Sequence, residues 1–213
     1  MTTIKFLPFD VLPNADIHPQ GIVSRAFLEL KIATFRHAAE YVHQLPYGEN
    51  SHSEDSMILL NEGLGTCVTK HGLIARLAEE LGLLVFRCEG FYELNDEIVT
   101  GVNAILKEYG LPYIPRTHCF LSCDRGYVDL TEGNCTGKNQ LIEKYLDIYR
   151  VNPEQTQSER DEMYRQYYTK VCEADAKFAK IGVGGMLEIL KRCQVLSAGV
   201  CQRKPSSSTK TDF

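Results

Sequence analysis

Residues 63–94 read GLGTCVTKHGLIARLAEELGLLVFRCEGFYEL, and the change of pattern inside this stretch decides the fold class. Ile74, Leu77, Ala78 and Leu81 recur at three- and four-residue steps, the spacing of one helical face. Thr66 is a candidate N-cap and Gly82 a C-terminal stop, so the helix opens at Cys67. After Gly82 the run LLVFRCEGFYEL is rich in β-formers and too short between breakers for a helix. It predicts a strand, or two strands bent at Gly90.

Working outward, Asn95 caps a predicted helix over about Asp96 to Tyr109, with Asp96 and Glu97 complementing its dipole and Gly110 and Pro112 ending it. Strand signals resume at THCFLSC and GYVDLT, separated by the turn formers Asp124, Arg125 and Gly126. From Asn139 onward the pattern predicts helices near 139–150, 154–172 and 175–196. Upstream, Phe27, Leu28, Lys31, Phe35, Ala38, Ala39 and Val42 share one face of a helix predicted from Ser24 to His43, with Lys31 the one polar residue in the stripe. A short helix around Asp55 to Leu60 leads into NEGLGT. Helices, then strands, then helices give an α+β fold rather than a βαβ alternation.

The 213 residues are about 1.4 times the roughly 150 of a typical domain, which favours one domain over 1–201. The end, QRKPSSSTKTDF, reads as a disordered tail over 202–213. A net charge of −5 from 23 basic and 28 acidic residues excludes a chain-wide basic field for nucleic acid. Apolar runs fall short of a bilayer span or a signal-peptide core, so a cytoplasmic chain with no membrane partner is expected. Eight cysteines are too few for a secreted disulfide scaffold, and in a reducing compartment they default to buried thiols.

Cys67 stands out among them, because a cysteine at the first helical position meets free N–H groups and a dipole that favour a thiolate. Gly63 and Gly65 leave room for a substrate, and the Cys67 N–H is a potential oxyanion donor. A nucleophilic cysteine needs a base, usually histidine, which needs an orienting group of its own. His71 lies one helical turn after Cys67 and competes for that role. His118 sits in the first strand of the predicted hairpin and Asp129 in or after the second. If the turn centres on Asp124 and Arg125, Phe120 pairs with Asp129 and the two groups lie diagonally on one face; an odd-length loop separates them.

Two stretches, GLGTCVTKHGLIARLAEELGLLVFRCEG and THCFLSCDRGYVDLTEG, resemble the nucleophile helix with its first core strand, and the His and Asp strands, of the transglutaminase-like superfamily of papain-like cysteine enzymes. The resemblance covers roughly Leu59 to Gly133. It implies a papain-like core in which the nucleophile helix packs on a small antiparallel sheet, with extra N- and C-terminal helices. It makes Cys67 the nucleophile, His118 the general base and acid, and Asp129 the group that orients His118, with no cofactor. The chain departs from the family at the aromatic position before the Asp, usually Trp, where Tyr127 is the only candidate in a chain without tryptophan. The predicted helix at 96–109 is an insertion that could wall or cover the cleft. Tyr47, Asn50 and Asn61 are candidate side-chain donors to an oxyanion.

Other constellations carry less. His118, Cys119 and Cys123, with Cys88 and Cys135 in reserve, suggest a metal, but an extended HCFLSC holds the Cβ atoms of Cys119 and Cys123 roughly 13 Å apart. Ligands of one zinc each lie only about 2 Å from it, so no metal site is expected. KIGVGG at 180–185 lacks the Gly-Lys-Ser/Thr of a phosphate loop and reads as a kink or close helix contact. SERDEMYRQYYTK reads as a surface helix docking Met163, Tyr164 and Tyr167. Two functional classes follow. One is a thiol enzyme acting on a peptide, amide or small-molecule acyl substrate, by hydrolysis or transfer to an amine; the other is a binding module that keeps the fold without the chemistry. The presence of all three triad residue types favours the enzyme. Oligomeric state is not legible.

Overall fold

The computed structural model describes residues 1–134 and 136–201, with side chains described as far as residue 196. Cys135 and the tail expected over 202–213 lie outside the described residues. Among the described residues, seven α-helices and two antiparallel sheets make the α+β architecture expected from the order of elements. The helices are α1 Ile22–Glu29, α2 Phe35–Gln44, α3 Ile58–Glu62, α4 Cys67–Glu80, α5 Val102–Glu108, α6 Gln157–Ala174 and α7 Ala176–Cys201. The strands are β1 Thr2–Thr3, β2 Phe86–Leu94, β3 Ile114–Cys123, β4 Gly126–Val128, β5 Lys144–Tyr145 and β6 Asp147–Arg150. The larger sheet runs β4-β3-β2-β6, and β1 pairs with β5. None of the described helices is long and apolar enough to cross a membrane.

The single helix expected from Ser24 to His43 is two. Lys31 adopts a left-handed backbone at φ 63°. The Ile32 N–H reaches Phe27 O at 2.9 Å and the Lys31 N–H reaches Leu28 O at 3.0 Å, which closes α1 as a Schellman motif without its usual glycine. Thr34 then caps α2, accepting from the His37 N–H at 3.3 Å. Gly82 ends α4 in the same way, with Leu83 N–H to Ala78 O at 2.8 Å, at the position the sequence marks.

β2 is one continuous strand, with no bend at Gly90. Gly90 pairs with His118 of β3, and a Cβ there would run into the Tyr145 ring, so the glycine is a close approach rather than a hinge. Residues 139–150 are not helical: they supply β5 and β6, and β6 pairs antiparallel with β2. Pairing to an exposed strand edge overrides the local pattern there. The helix expected over 96–109 shortens to α5. Gly101, at φ 94°, and a reciprocal pair of bonds between Asp96 and Asn103 hold the preceding residues in a turn. Gly182, at φ 68°, kinks α7 within KIGVGG, as the sequence suggests.

Two hydrophobic clusters hold these elements. One joins β2 and β3 to α5, α6 and α7 through Phe91, Phe120, Tyr164, Phe178 and Met186. The second joins α1, α2 and α4 through Phe27, Phe35, Val42, Ile74 and Leu77, and takes Leu121 and Val128 from the hairpin. Helix α4 rests on β3 and β2, so its first residue arrives beside the middle of the sheet.

Candidate functional site

Helix α4 starts where the sequence places it, because Thr66 is extended and its N–H donates to Thr69 Oγ1 at 3.0 Å. The loop before it is held by Gly65, whose N–H donates to Pro46 O at 3.1 Å and whose carbonyl accepts from the Gly48 N–H at 3.2 Å. A Cβ on Gly65 would fall 2.7 Å from Leu59 Cδ1, so only glycine fits. Cys67 is 9% exposed at the head of this helix.

The hairpin that carries the other two residues turns at Asp124 and Arg125, with Cys123 paired to Gly126 and Leu121 to Val128. Continuing that register sets Asp129 opposite Phe120 and diagonal to His118 on the same face. His118 Nε2 lies 2.7 Å from Asp129 Oδ2, with the two side chains 2% and 5% exposed. The other Asp129 oxygen accepts from the Thr131 N–H at 2.8 Å and Thr131 Oγ1 at 2.7 Å. The Cys67 thiol meets both Cys119 and His118. The structure therefore brings Cys67, His118 and Asp129 together, with the ring nitrogen not used by Asp129 shared between the surroundings of Cys67 and Lys138 Nζ at 3.0 Å.

The electrostatics agree with that geometry. Cys67 is held well below the ordinary thiol value by the hydrogen bond from Cys119 first, against the opposing effect of burial, and then by the bond and charge of His118 and by Lys138. For His118, burial and the Lys138 charge push downward, yet the Asp129 carboxylate and the bond to Cys67 outweigh them and the imidazole is raised. Burial alone would raise Asp129. The charge and hydrogen bond of His118 hold it well below the usual carboxylate range.

His71 has no ring nitrogen free for the Cys67 sulfur. Its Nδ1 is 2.7 Å from Cys67 O, and its Nε2 accepts from the Leu130 N–H at 2.8 Å, so backbone occupies both nitrogens. It ties the nucleophile helix to the residue after Asp129. Among the three candidate oxyanion donors, Asn50 is committed to structure, donating to Glu62 and to Leu64 O and accepting from Thr69. Asn61 is exposed. Tyr47 bridges to Gly65 beside the head of α4, and burial and then the Cys67 charge push its hydroxyl well up.

Several neighbours escaped the sequence reading. Lys138 Nζ is 3.0 Å from His118 Nδ1. Arg116 lies two residues before His118, in register with Tyr92, and its charge reaches Cys67. Cys119, weighed there only as a metal ligand, touches the nucleophile and lies 3.8 Å from Arg87 Nη2 and 3.7 Å from Arg160 Nη2. The alternation of β3 could have flagged Arg116, but no periodicity points to a lysine in the loop after Asp129. A cavity of about 410 Å3 borders Asp129, between Phe6–Phe9, His43 and Glu132–Gly133. Among the described residues no three His, Cys, Asp or Glu side chains gather to hold a metal ion. Comparison of the chain with protein families, curated proteins and solved structures finds no match.

Proposed function

We propose that the chain is a thiol enzyme of the transglutaminase-like, papain-like type, performing acyl transfer through a Cys67 thioester with His118 and Asp129. The observation that carries this reading is the 2.7 Å bond between His118 Nε2 and Asp129 Oδ2, which fixes a ring that also meets Cys67 at the head of α4. The packing of α4 on β2 and β3 supports the papain-like reading of the core.

Each step follows from the chemistry of these groups. The Cys67 thiolate attacks the carbonyl carbon of an amide or ester, forming the C–S bond and pushing charge onto oxygen. The Cys67 N–H, at the first position of α4, has no partner within the helix and donates to that oxyanion in this mechanism, with the Tyr47 hydroxyl, which feels the Cys67 charge, as the side-chain candidate. His118 passes its proton to the leaving nitrogen or oxygen as the C–N or C–O bond breaks, leaving a thioester. Neutral His118 then removes a proton from water or an amine, whose attack frees the thiolate. Water gives hydrolysis and an amine gives transfer; the substrate class is a peptide, amide or small-molecule acyl compound.

The test is intact-mass analysis after exposure to a panel of amide and ester acyl donors. The expected result is one acyl adduct on Cys67, absent from Cys67→Ser. No adduct with any donor, in a folded chain whose Cys67 is also inert to small alkylating agents, would leave the fold as a binding module without the chemistry.

A further inference from the structure

Lys138 competes with the nucleophile for the base. Its Nζ lies 3.0 Å from His118 Nδ1, while Nε2 is taken by Asp129. A neutral imidazole nitrogen offers one lone pair, which can accept from the ammonium or exchange a proton with Cys67, but not both at once. A protonated Nδ1 would set an N–H against an ammonium with no acceptor between them. Turnover therefore requires another acceptor for Lys138. In the free enzyme the Cys67 thiolate can serve. Once Cys67 becomes a thioester that charge is gone, at the stage when Nδ1 must accept the proton of the incoming water or amine.

The segment that leads to Lys138, from Asp129 to Asn134, is braced. Lys70, fully buried, donates to His43 O at 3.1 Å, to Leu45 O and to Asn134 Oδ1 at 3.3 Å. Asn134 Nδ2 in turn donates to His43 O at 3.2 Å, and Asp129 is locked to Thr131. Arg116, on the same face of β3 as His118, adds a second cation within reach of the Cys67 charge. An anion arriving with the acyl group would give Lys138 its acceptor and release Nδ1.

We propose that Lys138 is a specificity-determining residue that binds a carboxylate carried by the acyl donor beside its reacting carbonyl. This rests on the reading of Cys67 as the nucleophile. The site thus selects donors whose acyl group keeps the carboxylate in the thioester, such as monoamides of dicarboxylic acids or peptide segments acidic on the acyl side, over neutral amides of the same size.

Iodoacetate and iodoacetamide test this without a known substrate. They present the same carbon and the same leaving iodide to the Cys67 sulfur, one with a carboxylate and one with a neutral amide. In each case the S–C bond forms as the C–I bond breaks. The measurement is the ratio of their rates at Cys67, followed by peptide mass spectrometry at one pH and ionic strength. Lys138→Met is expected to lower the iodoacetate to iodoacetamide ratio about tenfold, and Lys138→Arg to keep most of it. Lys138→Gln reads the same quantity should the methionine variant fail to fold. An unchanged ratio in the folded neutral variants, with Cys67 still reactive, overturns the carboxylate assignment and leaves the thiol-enzyme reading standing. Failure of both reagents at Cys67 in the wild-type chain overturns the nucleophile and this inference together.

Discussion

His71 and His118 are both buried, stand with ring centroids 6.3 Å apart, and both approach Asp129, yet they are wired for different work. His71 spends one nitrogen on Cys67 O and the other on the Leu130 N–H, so nothing is left for the sulfur. His118 gives one nitrogen to a carboxylate and turns the other toward a thiol and an ammonium. The same side chain is a strut on the helix and, in the proposed mechanism, a proton carrier on the strand, and only the partners distinguish them. One turn of helix puts His71 close to Cys67 and still leaves it the wrong choice.

The largest effect that separates the two is on turnover. His118→Ala should lower the rate of thioester formation by about 10⁴ or more, because it removes both the ion-pair partner and the proton donor. The pH dependence of Cys67 alkylation reads the same loss in another way. With Cys67 held below the ordinary thiol value, labelling should persist as pH falls below that value, and fade only as pH drops through the lowered one, where the thiolate takes up a proton. In His118→Ala the midpoint should move upward. An unmoved midpoint would mean that His118 and His71 do not differ in the way their contacts indicate.

Asp129→Asn should cost about 10²–10³ in rate, less than the 10⁴ of a serine triad, because a thiolate–imidazolium pair is already charge-separated. The loss should fall on kcat, with KM nearly constant, since Asp129 lies behind His118. A rate within a few-fold of wild type would assign Asp129 to the framework alongside His71.

His71→Leu should destabilise the fold by about 1–3 kcal/mol in urea titration, the cost of a buried unsatisfied group, because it strands the Leu130 N–H while Cys67 O keeps its partner within α4. The folded fraction should keep a reactive Cys67. If it instead stays folded with an inert Cys67, the helix histidine is the base and the comparison inverts. The smallest effect is expected from Cys119→Ala. Its hydrogen bond comes first among those that hold Cys67 low, so its loss should move the pH midpoint of alkylation upward, but Cys119 carries no proton in turnover and the rate of thioester formation at neutral pH should fall only a few-fold.

The boundary of the nucleophile helix was legible because Thr66 and Gly82 are the residue types that caps and stops require. The end of α1 was not, because the same closing motif is built there on Lys31, a residue that rarely adopts a left-handed backbone. The hairpin register followed from the turn formers at 124–126, and the register alone placed His118 beside Asp129. Gly90 was visible as a break but not in its purpose, which depends on Tyr145 from a segment that local pattern assigns to a helix. Lys138 lies 20 residues from His118 in a segment without periodicity, so only the tertiary path of the loop discloses it.

The hairpin of β3 and β4 also sets an order of events. His118 and Asp129 are joined by a two-residue turn and 11 residues of chain, a contact of the kind that forms in microseconds and needs little else to be in place. Cys67 reaches them only when α4 docks on the sheet, and the Leu130 N–H bond to His71 that helps fix this docking spans 59 residues. A chain still emerging from synthesis, or one that has opened globally, therefore carries at position 67 a thiol of ordinary sluggishness. On the proposed reading, reactivity comes only with completion of the fold, which spares an immature chain from modifying itself or its neighbours.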